Sequence, residues 1–347
     1  MSFSGHFRRL TGRLFSTACR RSKPRRAPRS SLAACALLIA GCASFPLAPP
    51  AVTPPLLAAD AFIAADGARL GLSVWRAENE IAILAAVHGM NDYANAFSLA
   101  APDWAARGVT TYAYDQRGFG RSPDRGEWPG APALKEDLRG FIAALRRAHP
   151  DKPLFVIGHS MGAAVVIAAQ RDAPLDVDGI ILAAPGVWGG AQMPIHYRVT
   201  LNLAATLAPG KTLTGERAGR QASDNIEFLR AMYEDPNVVK ETRLDAVLGV
   251  VRMMGEGWDA SDEISGDFLV VYGEKDDIIP VGKMKKAAAR LQGSVDIRAY
   301  PRGWHLVLAD LEREGPLSDI ADWMAARADR KPPPLALGQE QAVSNRP

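Results

Sequence analysis

Cysteine is scarce in this chain of 347 residues, and its three copies, Cys19, Cys35 and Cys42, all lie within the first 42 residues. The rest of the chain therefore has no disulfide framework, no cysteine nucleophile and no thiolate metal site. The apolar stretch at residues 32–42 is also short, with about eleven residues where a membrane-spanning helix needs about 20. This stretch fits the hydrophobic region of a signal peptide.

Acidic residues are absent from the first 41 residues, which contain nine arginines and lysines. The whole chain has 41 basic and 38 acidic residues, so 32 basic and 38 acidic residues remain from Cys42 onward, a net charge of −6. The excess of basic residues thus belongs to the N-terminal segment alone. A body of negative net charge lacks the basic surface by which proteins bind nucleic acid, so we predict no nucleic-acid partner.

The end of the apolar stretch, Ile39-Ala40-Gly41-Cys42, resembles a bacterial lipobox. The resemblance implies that residues 1–41 are a signal peptide, that cleavage makes Cys42 the first residue, and that Cys42 is lipidated. Several buried acyl chains hold a protein on a membrane essentially permanently, at about 0.8 kcal/mol per CH₂. We therefore predict attachment to a membrane of the bacterial cell envelope, with Ala43 favouring the outer membrane over the inner. An ordinary signal peptide or an uncleaved anchor is the alternative.

Strand-like and helix-like runs alternate through two blocks of the chain, residues 59–186 and 263–329. This alternation predicts an α/β domain with a mostly parallel sheet and helices on both faces. The intervening residues 187–262 have helical stretches and no strand-like apolar run, which predicts a helical cap inserted into the domain. Residues 42–58 are rich in proline and predict an extended tether, and residues 330–347 predict a disordered tail.

The individual elements follow from the period of the apolar residues. The predicted strands are residues 69–75, 81–87, 109–114, 154–157, 179–183, 268–272 and 295–299. The predicted helices are residues 93–107, 133–148, 161–171, 226–233, 242–254, 281–291 and 317–328.

One serine stands at a sharp turn between a predicted strand and a predicted helix. The turn has the sequence Gly158-His159-Ser160-Met161-Gly162. Glycine two positions before and after the serine lets the neighbouring chains approach closely, and the N-terminal end of the helix favours negative charge at the serine hydroxyl. We predict that Ser160 is the nucleophile of an acyl-transfer enzyme.

A serine nucleophile requires a histidine as base and a carboxylate that orients the histidine. Downstream of Ser160 the chain has two histidines, His196 and His305. His305 follows the last predicted strand, where a loop delivers its side chains to the carboxyl edge of the sheet, so we favour it over His196 in the predicted cap. Three carboxylates follow the preceding strand and compete as the acid: Glu274, Asp276 and Asp277.

The oxyanion of an acyl transfer needs two backbone N–H donors, one after the nucleophile and one from the loop after an earlier strand. Met161 supplies the first donor, and Met90, in the loop after the strand at residues 81–87, supplies the second. We expect His88 to brace that loop rather than to transfer protons. Asp115 and Arg117 follow the next strand, and we expect them to hold the active-site face together.

Together these motifs resemble the α/β-hydrolase superfamily, and within it the serine aminopeptidase S33 or hydrolase-4 group, which includes monoacylglycerol lipases and lysophospholipases. The motifs are H-G-M at 88, D-Q-R-G-F-G-R-S at 115, G-H-S-M-G at 158, G-E-K-D-D-I-I-P at 273 and W-H at 304. The resemblance implies the α/β-hydrolase fold and makes Asp276 the acid, with Asp277 as the alternative. It further implies an acyl-enzyme mechanism of Ser160, His305 and Asp276 that needs no metal and no organic cofactor.

The predicted cap is rich in apolar residues, for example at 201–207 and 247–254. Together with membrane attachment, this favours a monoacylglycerol, a lysophospholipid or a similar lipid ester as the substrate. An aminopeptidase of the S33 type is an alternative, and it would need cap carboxylates such as Glu216, Glu227 or Glu234 to bind a free amine. A further alternative is a non-catalytic envelope lipoprotein on a hydrolase scaffold. The sequence predicts no particular oligomeric state.

The predicted lipidation is tested by Cys42→Ser, which we expect to abolish incorporation of labelled palmitate because the thiol that accepts the lipid is lost. The measurement is metabolic labelling of the full chain in a bacterial host. Cys35→Ser changes a cysteine inside the predicted signal peptide, serves as the matched control and keeps the label. Label retained by Cys42→Ser would contradict the prediction.

Overall fold

The computed structural model describes residues 45–214 and 219–329 of the chain. Its strands are β1 (Leu56–Leu57), β2 (Ala61–Ile63), β3 (Arg69–Trp75), β4 (Ala82–Val87), β5 (Val109–Tyr114), β6 (Leu154–His159), β7 (Gly179–Ala183), β8 (Thr212–Thr214), β9 (Glu241–Arg243), β10 (Ser265–Gly273) and β11 (Gln292–Tyr300). Its α-helices are α1 (Ala101–Ala106), α2 (Ala131–Ala148), α3 (Met161–Asp172), α4 (Ile195–Leu207), α5 (Ile226–Glu234), α6 (Leu244–Ala260), α7 (Val281–Ala288) and α8 (Glu314–Ala328).

A nine-stranded sheet has the strand order β1-β2-β3-β5-β4-β6-β7-β10-β11. The pairs from β1 to β5 are antiparallel, whereas all pairs from β5 to β11 are parallel. Every residue of β4, β5 and β6 is buried, because helices cover both faces of the sheet. The predicted fold class, an α/β-hydrolase fold with a mostly parallel sheet and helices on both faces, is confirmed.

Strand β4 shows how the two faces of the sheet are filled. Ile83 and Val87 belong to an apolar cluster that also contains residues of α2 and α3. Leu84 belongs to a second cluster, with residues of α1 and α8. Successive residues of a strand point to opposite faces, so a strand that is covered on both faces has a continuous apolar sequence. This continuity is why the central strands were predictable.

The helix predicted at residues 93–107 is wrong as a single element. The chain forms a 3₁₀ turn at Ala94–Phe97 and then the separate helix α1. The physical reason is Pro102, which lies in the first turn of α1. Proline lacks an N–H and clashes with the preceding turn, so it is accommodated at the start of a helix and not in its interior.

The residues predicted as a helical cap, 187–262, contain α4, α5 and α6, and also a pair of strands that was not predicted. Strands β8 and β9 pair antiparallel, with Thr212 opposite Arg243. The residues of β8 are all exposed, so this strand lacks the apolar alternation that identifies a strand in a sequence. Helix α6 lies against α3 at Gly257, where a Cβ atom would be only 2.9 Å from the Cβ of Ala164.

The segment predicted as a tether, residues 42–58, lies against the body from residue 45 onward. The ring of Phe45 packs edge-on against Trp128 at a centroid distance of 6.3 Å, and the backbone N–H groups of Val52 and Thr53 donate to the carbonyl of Ala65. The sheet itself begins with β1, earlier than the predicted start at residue 59.

Several predicted features lie outside the described residues: the signal peptide, Cys42 and the tail at 330–347. Within residues 45–214 and 219–329, no helix is both long enough and apolar enough to cross a membrane.

Two ion-pair groups follow β5, at the residues predicted to hold the active-site face together. Asp115 is fully buried and accepts hydrogen bonds from the backbone N–H groups of Ala94 and Arg121 and from the guanidinium of Arg121. Arg117 forms paired hydrogen bonds with the carboxylates of Asp66 and Asp137. These contacts join the loop after β5 to the 3₁₀ turn at Ala94–Phe97, to the turn before β3 and to α2.

The ion pairs of Arg117 predict a large loss of stability in Arg117→Ala, about 3–5 kcal/mol in the free energy of unfolding, because the buried carboxylate of Asp137 and the partly buried one of Asp66 lose their partner. Urea unfolding followed by circular dichroism measures the change. The matched control is Arg69→Ala, whose partner Asp60 is exposed, and we expect it to unfold at nearly the wild-type urea concentration. Equal midpoints for Arg117→Ala and the wild type would contradict the structural role.

Candidate active site

Ser160 lies at the turn between β6 and α3 in a backbone conformation that side-chain-bearing residues rarely adopt, with φ 52° and ψ −116°. Such a conformation costs about 1–3 kcal/mol and persists where the surroundings impose it. A Cβ atom on Gly158 would be 2.6 Å from Cα of Ala163, and one on Gly162 would collide with the carbonyl oxygen of Val87. The two glycines therefore permit the turn that presents Ser160.

Ser160, His305 and Asp276 form a continuous chain of hydrogen bonds. His305 Nε2 is 2.9 Å from Ser160 Oγ, and His305 Nδ1 is 2.7 Å from Asp276 Oδ2. Because a carboxylate accepts and does not donate, Nδ1 carries the proton and Nε2 is the acceptor for the serine hydroxyl. Asp276 Oδ1 accepts from the backbone N–H groups of Ile278 and Ile279, both at 2.8 Å, which fixes the carboxylate.

The alternative candidates make other contacts. His196 is exposed on α4, with its ring against Tyr197. The half-exposed carboxylate of Asp277 lies 3.5 Å from the guanidinium of Arg220. The remaining carboxylate of this turn, in Glu274, pairs with Lys285 at 3.1 Å. The structure thus brings together the three favoured residues and none of the alternatives, while the catalytic roles stay predictions.

Of the two residues predicted to form the oxyanion hole, one directly follows the nucleophile and the other belongs to a loop that lies against it. Met161 is the first residue of α3 and directly follows Ser160. Met90 follows Gly89, and a Cβ atom on Gly89 would be 3.2 Å from Cβ of Ser160. The loop after β4 therefore lies against the serine, as two-sided donation to an oxyanion requires. Their role as donors stays a prediction.

His88 joins the loop after β4 to the loop after β5. Its Nε2 accepts from the backbone N–H of Gln116 at 2.8 Å, so its Nδ1 carries the proton and donates to the carbonyl of Gly89 at 2.8 Å. The side-chain amide of Gln116 donates to the carbonyl of His88 at 2.7 Å. Burial lowers the pKa of His88 to about 4, so the ring is neutral at neutral pH and braces the loop.

Three polar residues near the site were not singled out from the sequence: Gln116, His159 and Asp92. His159 Nε2 donates to the carbonyl of His305 at 3.1 Å, and burial, followed by the charge of His305, lowers the pKa of His159 to about 4. Burial raises the pKa of Asp92 to about 7, against the hydrogen bond from Tyr93 N–H that lowers it. The available signal was their position, since Gln116 and His159 lie inside two of the motifs and Asp92 lies two residues after a third.

Metal binding was not predicted for this chain. In the part of the chain that the structure describes, no group of three or more His, Cys, Asp or Glu side chains is arranged to hold a metal ion.

The profile of the family described as serine aminopeptidase, S33, matches residues 78–312. The chain belongs to this family. The matched range begins just before β4 and ends after the loop that carries His305, so it contains the whole hydrogen-bond chain described above.

Curated relatives of the chain carry two kinds of name. A monoacylglycerol lipase of Mycolicibacterium smegmatis is 28% identical over 274 residues, which cover 76% of this chain and 96% of that protein. A proline iminopeptidase of Thermoplasma volcanium is 26% identical over 255 residues, covering 63% of this chain and 81% of the other. Family membership therefore fixes the scaffold, whereas the substrates of its members differ.

Solved structures share the fold at low sequence identity. The monoacylglycerol lipase of Paleococcus ferrophilus superposes with a TM-score of 0.61 at 20% identity, covering 74% of this chain and 99% of that one. A soluble variant of the monoglyceride lipase of Saccharomyces cerevisiae gives a TM-score of 0.66 at 17% identity, covering 81% of this chain and 99% of that one.

The burial of His88 predicts an acid-dependent loss of stability. The folded-state pKa of about 4 lies below the ordinary 6.5, so the unfolded chain binds the proton first and this contribution to stability is lost as pH falls from 6.5 to about 4. In His88→Asn the free energy of unfolding should fall less over this range, measured by urea unfolding at a series of pH values. His196→Asn, on the surface of α4, is the control. Parallel pH curves for His88→Asn and the wild type would contradict the assignment.

Proposed function

We propose that this chain is a serine esterase that hydrolyses monoacylglycerols, lysophospholipids or similar lipid esters. The observation that carries the proposal is the hydrogen-bond chain from Ser160 Oγ through His305 to Asp276. A serine hydroxyl is a weak nucleophile at neutral pH, and a histidine held in one tautomer by a carboxylate is the arrangement that activates it.

The geometry supports a two-step acyl transfer. Ser160 Oγ attacks the ester carbonyl carbon while His305 Nε2 takes the hydroxyl proton, and the backbone N–H groups of Met90 and Met161 stabilise the oxyanion. His305 then gives the proton to the leaving alcohol, and the acyl group stays on the serine. In the second step His305 takes a proton from water, the resulting hydroxide attacks the acyl-enzyme, and the proton returns to Ser160 as the acid leaves. Asp276 holds the imidazole throughout.

A lipid substrate is supported by the apolar surface of the cap. Several large apolar side chains of this region are exposed: Ile195, Tyr197, Val199, Leu203, Leu207, Leu213, Ile226 and Tyr233. Helix α4 contributes five of them, and such a surface favours contact with lipid over contact with water alone. The names of the relative from M. smegmatis and of the two solved lipases agree with this substrate class.

Lipidation of Cys42 would hold the protein at a membrane, whose lipids are the proposed source of substrate. We infer an envelope protein anchored through Cys42, in the outer membrane rather than the inner because of Ala43. The support is the lipobox-like sequence that ends at Cys42 and the basic segment before it.

An aminopeptidase is the second candidate, since one relative is named a proline iminopeptidase. It would need a carboxylate that binds the free amine of the substrate. Of the three cap carboxylates considered, Glu227 and Glu234 are exposed on α5 and Glu216 lies outside the described residues. A non-catalytic lipoprotein is the third candidate, and the complete hydrogen-bond chain at Ser160 speaks against it.

The test of function is hydrolysis by the full chain, purified in detergent, of p-nitrophenyl esters from acetate to palmitate and of monoolein. We expect activity on long acyl groups, and a loss of about 10⁴-fold or more in kcat for Ser160→Ala because the nucleophile is removed. Ser294→Ala, an exposed serine of β11, is the matched control and should keep wild-type activity.

Each alternative has its own outcome in this test. Hydrolysis of acetate esters alone would contradict the lipid substrate. Release of proline naphthylamide without ester hydrolysis would identify an aminopeptidase. Absence of labelling of Ser160 by a fluorophosphonate probe would favour the non-catalytic scaffold.

A further inference from the structure

One short segment of the cap, residues 220–225, contacts the loop of the histidine, and we call it the cap strap. The carbonyl of Ala222 accepts from the backbone N–H of Leu306 at 2.9 Å. The hydroxyl of Ser223 donates to Asp310 Oδ1 at 2.5 Å. Asn225 Nδ2 also donates to the carbonyl of Ala309 at 2.8 Å, and Asp224 Oδ1 accepts from Leu311 N–H at 2.9 Å. The cap strap is thus bonded at several points to the segment that carries the base, although it belongs to a different part of the chain.

Asp310 extends this connection to the other side of the histidine. Its second carboxylate oxygen, Oδ2, accepts from the backbone N–H of Trp304 at 2.6 Å. Leu306 N–H is already held by the carbonyl of Ala222. The residues directly before and after His305 are therefore each fixed by a hydrogen bond, one to Asp310 and one to the cap strap.

Packing alone does not account for a carboxylate at this position. Asp310 is 2% exposed and Ser223 is fully buried, and the carboxylate of Asp310 accepts from two neutral groups, the hydroxyl of Ser223 and the backbone N–H of Trp304. Burial raises the pKa of Asp310 to about 6, against the hydrogen bonds from Ser223 and Trp304 that lower it. An apolar residue of similar size would avoid the cost of burying a charge, so the two acceptor oxygens are the distinguishing property of Asp310.

We propose that Asp310 is a positioning residue for the base, which fixes the loop of His305 to the cap strap through Trp304 and Ser223. This role rests on the proposed function, in which His305 is the base. Such positioning matters because a displacement of a reacting group by about 1 Å lowers the rate about 100-fold. The cap strap thereby contributes to the chemical step, in addition to any part the cap has in binding substrate.

The test compares three variants at two residues. Asp310→Ala removes both acceptors, and we expect kcat to fall about 10- to 100-fold while KM stays near the wild-type value. Asp310→Asn should recover most of this loss, because its amide oxygen accepts from Trp304 N–H and its amide nitrogen donates to Ser223 Oγ. Ser223→Ala removes only the bond between the cap strap and Asp310, because the other bonds of the cap strap to the histidine loop do not use the Ser223 hydroxyl. We expect it to give an intermediate kcat. Rates are measured with the full chain on p-nitrophenyl butyrate, a soluble short-chain ester, so that the comparison does not depend on any preference for lipids.

The matched control is Asp296→Ala. Asp296, in β11, accepts from Trp323 Nε1 at 3.0 Å and pairs with Arg327 at 3.2 Å, so its carboxylate also accepts from two donors. Its loss should lower the urea midpoint without lowering kcat. Equal losses of kcat in Asp310→Ala and Asp296→Ala would overturn the proposal, as would wild-type kcat in Asp310→Ala or no recovery in Asp310→Asn.

Amide hydrogen exchange of the peptide 301–311 supplies a readout that needs no turnover. We expect faster exchange in Asp310→Ala and Ser223→Ala and wild-type exchange in Asp296→Ala. Unchanged exchange in Ser223→Ala overturns the proposal even if Asp310→Ala does not fold. If the wild type hydrolyses no ester, the proposed function fails. The exchange data still test the contacts of Asp310 in that case, because they do not depend on turnover.

Discussion

The close approach of the nucleophile turn to the end of β4 is the contact on which the active site depends. It requires glycine at 162, because any side chain there would meet the carbonyl oxygens of Val87 and His88. Through this contact the loop after β4 reaches Ser160, and Gly89 lies against the serine side chain. The same approach holds Ser160 at positive φ, so the strain of the turn is balanced by the packing of the sheet.

The positions of the acid and the base follow from the sheet in the same way. Asp276 comes after β10 and His305 after β11, and these strands pair in parallel over their whole length, with Gly273 opposite Tyr300. The backbone N–H of Lys275 donates to the carbonyl of Gly303 at 2.9 Å, which joins the two loops directly. Because carboxyl ends of parallel neighbours meet at one edge, residues far apart in the chain arrive within hydrogen-bond distance.

The cap contacts this edge at more than one loop. Besides the cap strap at the base, the side-chain amide of Asn91 donates to Thr242 Oγ1 at 2.7 Å, and the carbonyl of Asn91 accepts from Val239 N–H at 2.9 Å. The loop of Met90 and the loop of the base are thus both bonded to the region between the two halves of the α/β domain. The cap therefore has direct hydrogen bonds to both loops that hold the residues predicted to act on the substrate.

The sequence by itself determined the alternation of strands and helices in the α/β domain and the turn at Ser160, and it predicted the reaction class, because these depend on local patterns. Strands β5 and β7 have their predicted bounds, since each is an apolar run between turn residues. It did not reveal the exposed strand β8 and its partner β9, the docking of Phe45, or the bond between Ser223 and Asp310, which are 87 residues apart. Only the tertiary structure decided these contacts, because each joins segments that are far apart in the chain, and such pairings have no local sequence signal.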